Sequence, residues 1–407
     1  MRSYRVRLKV VSPLHVGTGE VFEPTEFFIH PVQKYLGVLD FERFIEHLSA
    51  RELKAFFFLC QQGTLESLIK LYQLVEGLSL SLLKQGIEDF VVRRINLGEG
   101  VISHYNKVKN LKGESLKKEF NKFTIYRTFF SPNEETPLIP GSAIKGAIRT
   151  AVLNRRRNKA RGRSWKDYCR PRCDSKQLES EILEYPRNRF HQDPFRLVKV
   201  SDFKPVGPAG TKVVYAVNRK KSGAAARGPY QILEVIEPGM VFEGQITILS
   251  PERGAKIAHP VTFQEICEAL NSFYSRERDR EFEELKNMGA SPPIFSNGGY
   301  PLRIGRHSGA ECVTIEGFRH ILIRGPKGQK TFKDHATTIW LASDFPHVKG
   351  AHGLKPFGWV AFYETGGQSK VADERSSDGK KSQKKSEQVD VTKLTKNPRF
   401  KLVVRKK

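Results

Sequence analysis

Ile139-Pro140-Gly141-Ser142-Ala143-Ile144-Lys145-Gly146-Ala147-Ile148-Arg149-Thr150 reads as an extended approach, a Pro-Gly turn and a helix that opens at Ser142. A serine hydroxyl can accept a bond from an orphan amide at a helix start. The free amides there favour anions, phosphate above all. Lys145 and Arg149 lie four apart and so share one face. Ile144, Ile148 and Val152 line another face and can dock on a core. The spacing fits a cradle for a sugar-phosphate backbone, and it fits a solvated surface helix equally well. It does not fit a P-loop, because Ala147 follows Gly146 where Lys and Ser/Thr are required.

Outward from this motif the chain alternates strand and helix signals. Tyr4 to Val11 has period two, with Arg5, Arg7 and Lys9 on one face and apolar residues on the other. Phe27–Ile29, Tyr35–Leu39, Ile125–Phe130, Phe195–Val200, Val213–Asn218, Tyr230–Ile236 and Val241–Leu249 read as strands. Glu237-Pro238-Gly239-Met240 has the composition of a hairpin turn between the last two. Asp40 is placed to cap a helix at Phe41, and the stretch to about Lys118 reads as an all-helical insertion. A long amphipathic helix is expected from Phe263 to Met288. The fold class is α+β, with one or two split β-α-β units of the ferredoxin-like type that RNA-recognition modules also use. The expected organisation is a domain over 1–250 with a helical insertion at about 41–120, a region over 251–365, and a disordered basic tail over 366–407.

Lys and Arg number 69 against 44 Asp and Glu, a net charge of +25 over 407 residues. Such an excess points to a polyanionic partner, nucleic acid before membrane. No apolar run approaches the roughly 18 residues of a membrane span, and Met1 to Val11 lacks a signal-peptide apolar region. Five scattered cysteines suit reduced thiols in a cytoplasm. Cys169 and Cys173 lack a second pair, so no metal or other cofactor is expected. The run 149–176 is dense in cations and reads as a phosphate-tracking arm or a solvated loop.

Two later glycine-rich loops complete the set. One holds Arg303, Gly305, Arg306, His307 and Gly309; the other holds Gly353, Lys355, Phe357, Gly358 and Trp359. Glycine lets backbone approach phosphate where a Cβ would obstruct, and Arg303, Arg306, His307 and Lys355 would supply contacts. Phe357 and Trp359 are expected in the core. His15, in the turn Ser12-Pro13-Leu14-His15-Val16-Gly17-Thr18-Gly19, has three readings: a base toward a 2′-hydroxyl, a phosphate contact, or a stabiliser of its own turn. Asp202 reads as a turn cap. No catalytic triad, paired acids or His-Glu-x-x-His pattern is present, and the chain is not expected to be an enzyme.

The ordered set 12–19, 139–150, Val200-Ser201-Asp202, Pro238-Gly239-Met240-Val241-Phe242, Gly305 to Gly309 and Pro356-Phe357-Gly358-Trp359-Val360 resembles the RAMP superfamily of CRISPR-Cas proteins. Length, insertion and motif order are most similar to the fifth-subunit family of type III-A Csm effector complexes. The resemblance implies a crRNA-binding, non-catalytic subunit capping the 3′ side of the guide and supporting its maturation in antiviral defence. The implied partners are crRNA, sister Csm subunits (the repeated backbone RAMP subunit in particular) and host nucleases, in the cytoplasm. It carries over His15, Gly17, Gly141, Ser142, Lys145 and Arg149 as RNA-contacting or RNA-shaping positions. The rival readings are a metal-independent crRNA-processing RAMP endoribonuclease with His15 as base, or another RAMP subunit of a type III complex. The arginine-rich stretch after residue 154 and the long tail depart from the family pattern.

Overall fold

Alternating side chains build the first sheet. In the strand Arg2–Val10, Val6, Leu8 and Val10 are fully buried, while Arg5 and Arg7 face outward and reach Glu243 on the neighbouring strand (Nε–O 3.7 and 2.7 Å). The computed structural model describes residues 1–366 except 121, 132–134, 161–164, 169–173, 227, 297 and 326–327. The tail expected over 366–407 therefore lies almost entirely outside the described residues, as do Cys169 and Cys173.

Spatially the first sheet runs Tyr300–Arg303, Trp359–Glu364, Arg2–Val10, Val241–Ile248, Val198–Val200, all neighbours antiparallel. Two helices, Gly141–Arg156 and Phe263–Asn287, pack against it through Ile144, Ile148, Val152, Ile266, Leu270 and Phe273, in one core with Val6, Leu8 and Val10. The long helix is capped by Thr262, whose hydroxyl accepts from the Glu265 amide.

The second sheet runs Gly17–Val21, Ile125–Thr128, Gln231–Ile236, Thr211–Lys220, Val91–Leu97, Tyr35–Leu39, Phe27–His30. Thr338–Ser343 pairs with the far half of Thr211–Lys220. Helices Leu65–Lys84 and Glu99–Asn110 cover one face, burying Tyr72, Tyr105, Val213, Tyr215 and Ile232 together. Both sheets thus hold strands from either side of residue 250. Among the described residues no helix is long and apolar enough to cross a membrane.

Three local expectations are corrected. The insertion at 41–120 is not all helical, because Val91–Leu97, rich in β-branched residues, joins the second sheet between Tyr35–Leu39 and Thr211–Lys220. Glu237–Met240 is no hairpin: Gln231–Ile236 belongs to the second sheet and Val241–Ile248 to the first, so the turn hands the chain from one to the other. Gly239 (φ +97°) donates to the Val10 carbonyl at 2.8 Å there. Phe195 to Leu197 is a 3-10 turn, fixed by Asp193 accepting from the Phe195 amide (2.8 Å), and the strand starts at Val198.

Candidate nucleic-acid interface

The motif helix starts one residue earlier than its sequence suggests. Pro140 occupies the cap position and Gly141 opens the helix; Ser142, exposed at the second helical position, caps nothing. Asp202 does that work from the end of a strand, its Oδ1 accepting the Gly141 amide at 2.8 Å, in keeping with its reading as a cap. A Cβ on Gly141 would stand 2.3 Å from the Val200 carbonyl oxygen and 2.5 Å from that of Ser201. Only glycine lets the helix start press on this strand.

Lys145 and Arg149 do share a face but not a fate. Arg149 is an internal clamp. Its Nε donates to Glu179 (2.8 Å), its Nη1 to Asp193 (2.9 Å), and its guanidinium sits 5.0 Å from the Phe195 ring centre. Against its reading as a free phosphate ligand, its Nε and Nη1 are already engaged by carboxylates of its own chain. Lys145 is half-buried, and burial first, then the Lys199 ammonium, then Arg149 and Arg196 hold its pKa below the ordinary lysine value, with Asp193 opposing. Lys145, Arg196 and Lys199 make no ion pair among the described residues, and the last two are exposed. An open cluster of cations therefore surrounds the motif helix. Arg196 and Lys199 escaped the sequence reading, although the alternation Phe195-Arg196-Leu197-Val198-Lys199-Val200 sets both opposite buried neighbours.

The basic run is tied down from the last turn of the helix to Lys159. Arg156 forms a bidentate pair with Glu265 (2.6 and 2.6 Å), Arg157 pairs with Glu316 (3.1 Å), and Arg155 and Lys159 pair with Glu268 and Glu184. These four cations brace the long helix and its surroundings instead of forming an arm; residues 161–164 and 169–173 lie outside the described residues.

The three glycine loops converge on one junction between the sheets. The Gly358 amide donates to Pro13 O (2.9 Å), Arg306 N to His15 O (2.8 Å), Ile304 N to Gly358 O (2.9 Å) and Trp359 N to Ser12 Oγ (2.9 Å). Gly305 and Gly358 both have φ +83°, and a Cβ on either would meet a carbonyl oxygen, His15 O at 2.4 Å or Ile304 O at 2.2 Å. Here glycine admits backbone to backbone, not backbone to phosphate.

His15 is 1% exposed, and its Nδ1–H donates to the Glu234 carbonyl at 2.7 Å. Burial lowers its pKa to about 4, with Arg306 adding to the effect. The turn-stabilising reading of His15 is the one this geometry fits; a buried ring has no reach to a substrate hydroxyl. Gly17, just beyond, is exposed, and its missing Cβ leaves room for the His15 Nε2. Arg303 is likewise internal. Its side chain is fully buried, paired with Glu281, stacked 5.0 Å from Trp359, and donates to Phe357 O (3.0 Å). Burial and pairing count against its reading as an RNA contact: a cation already paired in the core presents no charge to a ligand. Phe357 and Trp359 are in the core as expected.

The rim of the junction is more open. Arg306 stacks over Tyr126 (4.8 Å). His307, at φ +64°, stacks on Trp340 (4.6 Å), bonds Gln231 Oε1 (3.0 Å) and is held neutral by burial and by Arg306, its pKa lowered to about 3. Lys355 is exposed on a cleft of about 360 Å³ lined also by Pro13, Glu237, Asp344 and His352. Among the described residues no cluster of His, Cys, Asp and Glu is arranged to hold a metal ion.

A family model described as the RAMP superfamily matches residues 7–291. The chain is 24% identical over 319 residues to the "CRISPR system Cms protein Csm5" of Streptococcus thermophilus, which covers 77% of this chain and 80% of that protein. It is similar in fold to a chain of the Csm–crRNA–target RNA ternary complex of a type III-A CRISPR-Cas system (TM-score 0.52, 20% identity, 89% of this chain and 100% of the other). The crystal structure of T. onnurineus Csm5 is similar too (TM-score 0.51, 20% identity, 87% and 99%).

Proposed function

This chain belongs to the RAMP superfamily, and from that premise we propose that it is a crRNA-binding, non-catalytic subunit of a type III-A Csm effector complex. In this reading it caps the 3′ side of the guide, supports crRNA maturation and antiviral defence, contacts sister subunits and host nucleases, and works in the cytoplasm. We read the first sheet as its ferredoxin-like unit. Support comes from the chain order strand Arg2–Val10, helix Gly141–Arg156, strands Val198–Val200 and Val241–Ile248, helix Phe263–Asn287, strand Trp359–Glu364, with the last strand beside the first and the third between first and second; Tyr300–Arg303 adds an edge strand outside this order.

The observation that carries the binding role is the unpaired cluster Lys145, Arg196 and Lys199 at the motif helix. Neighbouring cations such as Arg149 and Arg156 have carboxylate partners; these three have none among the described residues and suit phosphate. Gly141 and Ser142 shape this surface. Gly17, Arg306, His307 and Lys355 form a second stretch of the proposed interface, while His15 and Arg303 act from inside, by fixing the loops. A buried His15 gives the endoribonuclease reading no foothold.

The test is the double substitution Lys145→Glu with Lys199→Glu. The folded variant should lose crRNA from the purified assembly. The salt dependence of its binding should flatten by about 0.7 in log–log slope for each phosphate no longer neutralised. Undiminished crRNA in the variant assembly would refute the proposed interface.

A further inference from the structure

We propose a second single-stranded RNA site, in the groove between the hairpin Ile321–Arg324/Lys330–Lys333 and the strand end Asn218–Lys220. This rests on the RNA-binding reading above and gives it a location that no family motif touches.

The groove has a volume of about 960 Å³ and is lined by Asn218, Lys220, Leu322, Arg324 and Thr338 among others. The hairpin is built against its own stability. Its register sets Arg324 directly opposite Lys330, and Leu322 opposite Phe332. Like charges facing each other across two strands destabilise the pair, yet neither cation has an acidic partner among the described residues. Lys220 and Lys333 are also exposed and unpaired there. The nearby acids are engaged elsewhere, Glu284 and Glu311 with Lys221 and Asp334 with His335. An anion seated between Arg324 and Lys330 would relieve the repulsion.

The same face carries an aromatic platform. Phe332 is 52% exposed and its ring lies parallel to that of His320 at 3.8 Å and 4°. A large ring kept in water, with Lys333 next in the chain and Lys330 two residues back, is the arrangement on which nucleobases stack while phosphates meet charge. Inside the groove, the Asn218 side-chain oxygen is buried with no hydrogen-bond partner. A ribose 2′-hydroxyl or an exocyclic base amine is the donor such an acceptor lacks. Charge, stacking surface and orphan acceptor together fit single-stranded RNA better than a protein strand, which would bring no anion to the Arg324–Lys330 pair.

Photo-crosslinking tests the site, using the full chain and a fluorescein-labelled oligouridine containing 4-thiouridine. Cross-linked peptides from within 320–333 are expected. Arg324→Glu with Lys330→Glu, and separately Phe332→Ala, should each weaken binding by about tenfold, with far-ultraviolet circular dichroism unchanged. The Lys145→Glu/Lys199→Glu variant should keep the hairpin cross-link. If the wild type binds the strand but cross-links only elsewhere, and both hairpin variants bind as tightly, this site is refuted while the RNA-binding reading stands. If the wild type binds no RNA, alone or in its assembly, both fall. Cross-linking of the hairpin to a sister subunit in the assembled complex, with no RNA adduct, would likewise overturn it.

Discussion

The loop junction and the start of the motif helix look alike as sequence, each a basic residue or two beside glycines, and they are opposites in three dimensions. At the junction the arginine goes inward. Arg303 is closed off beneath Trp359, paired with Glu281, and its glycines exist so that carbonyls can touch backbone. At the helix start the glycine is also a packing device, but the cations around it, Lys145, Arg196 and Lys199, have no carboxylate partner among the described residues. Glycine and arginine in one motif therefore report a crowded backbone, and only the location of the nearest carboxylate says whether a ligand is invited.

Glu281→Ala breaks the comparison most severely. It leaves the buried Arg303 guanidinium without its counter-ion and frees the Trp359 Nε1–H, which now donates to Glu281 at 2.8 Å. A loss of about 3–5 kcal/mol is expected in denaturant unfolding. The substitutions at Lys145 and Lys199 should by contrast stay within roughly 0.5 kcal/mol of the wild type.

Acid sharpens the contrast next. His15 and His307 are held neutral at the junction, with pKa values lowered from 6.5 to about 4 and about 3, chiefly by burial. Unfolded, each would take a proton near 6.5. Their contribution to stability is thus complete above that pH and is lost as pH falls toward 4. For His15 the loss amounts to about 3 kcal/mol. Hydrogen exchange between pH 7 and 4.5 should show amides of 12–17 and 304–309 opening before those of 141–150. Uniform opening would mean that the histidines are not what holds the loops.

The smallest effect is Asp202→Ala. Removing the carboxylate that accepts from Gly141 should cost about 1 kcal/mol, as for other helix caps removed by substitution. It should also raise affinity for RNA, because a fixed negative charge leaves the cationic face. Weaker RNA binding by a folded variant would show that the carboxylate orders the interface more than it repels.

Much of this was legible in the sequence. Period-two alternation marked Arg2–Val10, and an apolar stripe marked Phe263–Asn287. Both rest on local rules. What escaped was anything decided by a distant partner. The turn at Glu237–Met240 declares a reversal but not that its two strands join different sheets. Arg303 gives no sign of burial, because Glu281 sits in the stretch Arg276–Glu284, whose many charges resemble a solvated face while Glu277 and Glu281 point inward. Arg149 is claimed by Glu179 and Asp193, thirty and forty-four residues away. Lys199 was within reach, since its neighbours alternate, but its role depends on the arrival of Lys145 beside it.

The first strand, Arg2–Val10, gains its two neighbours from Val241–Ile248 and Trp359–Glu364. During synthesis it emerges before either partner, a half-apolar ribbon with one edge open until Val241–Ile248 has been translated and the other until Trp359–Glu364 has. Loop-closure entropy makes such pairing slow, and open strand edges invite aggregation meanwhile. The cations Arg5, Arg7 and Lys9, the first two of which meet Glu243 in the finished sheet, would in that interval keep nascent copies apart. Truncation before Trp359 would prolong the exposure indefinitely, and such fragments are expected to collect in inclusion bodies.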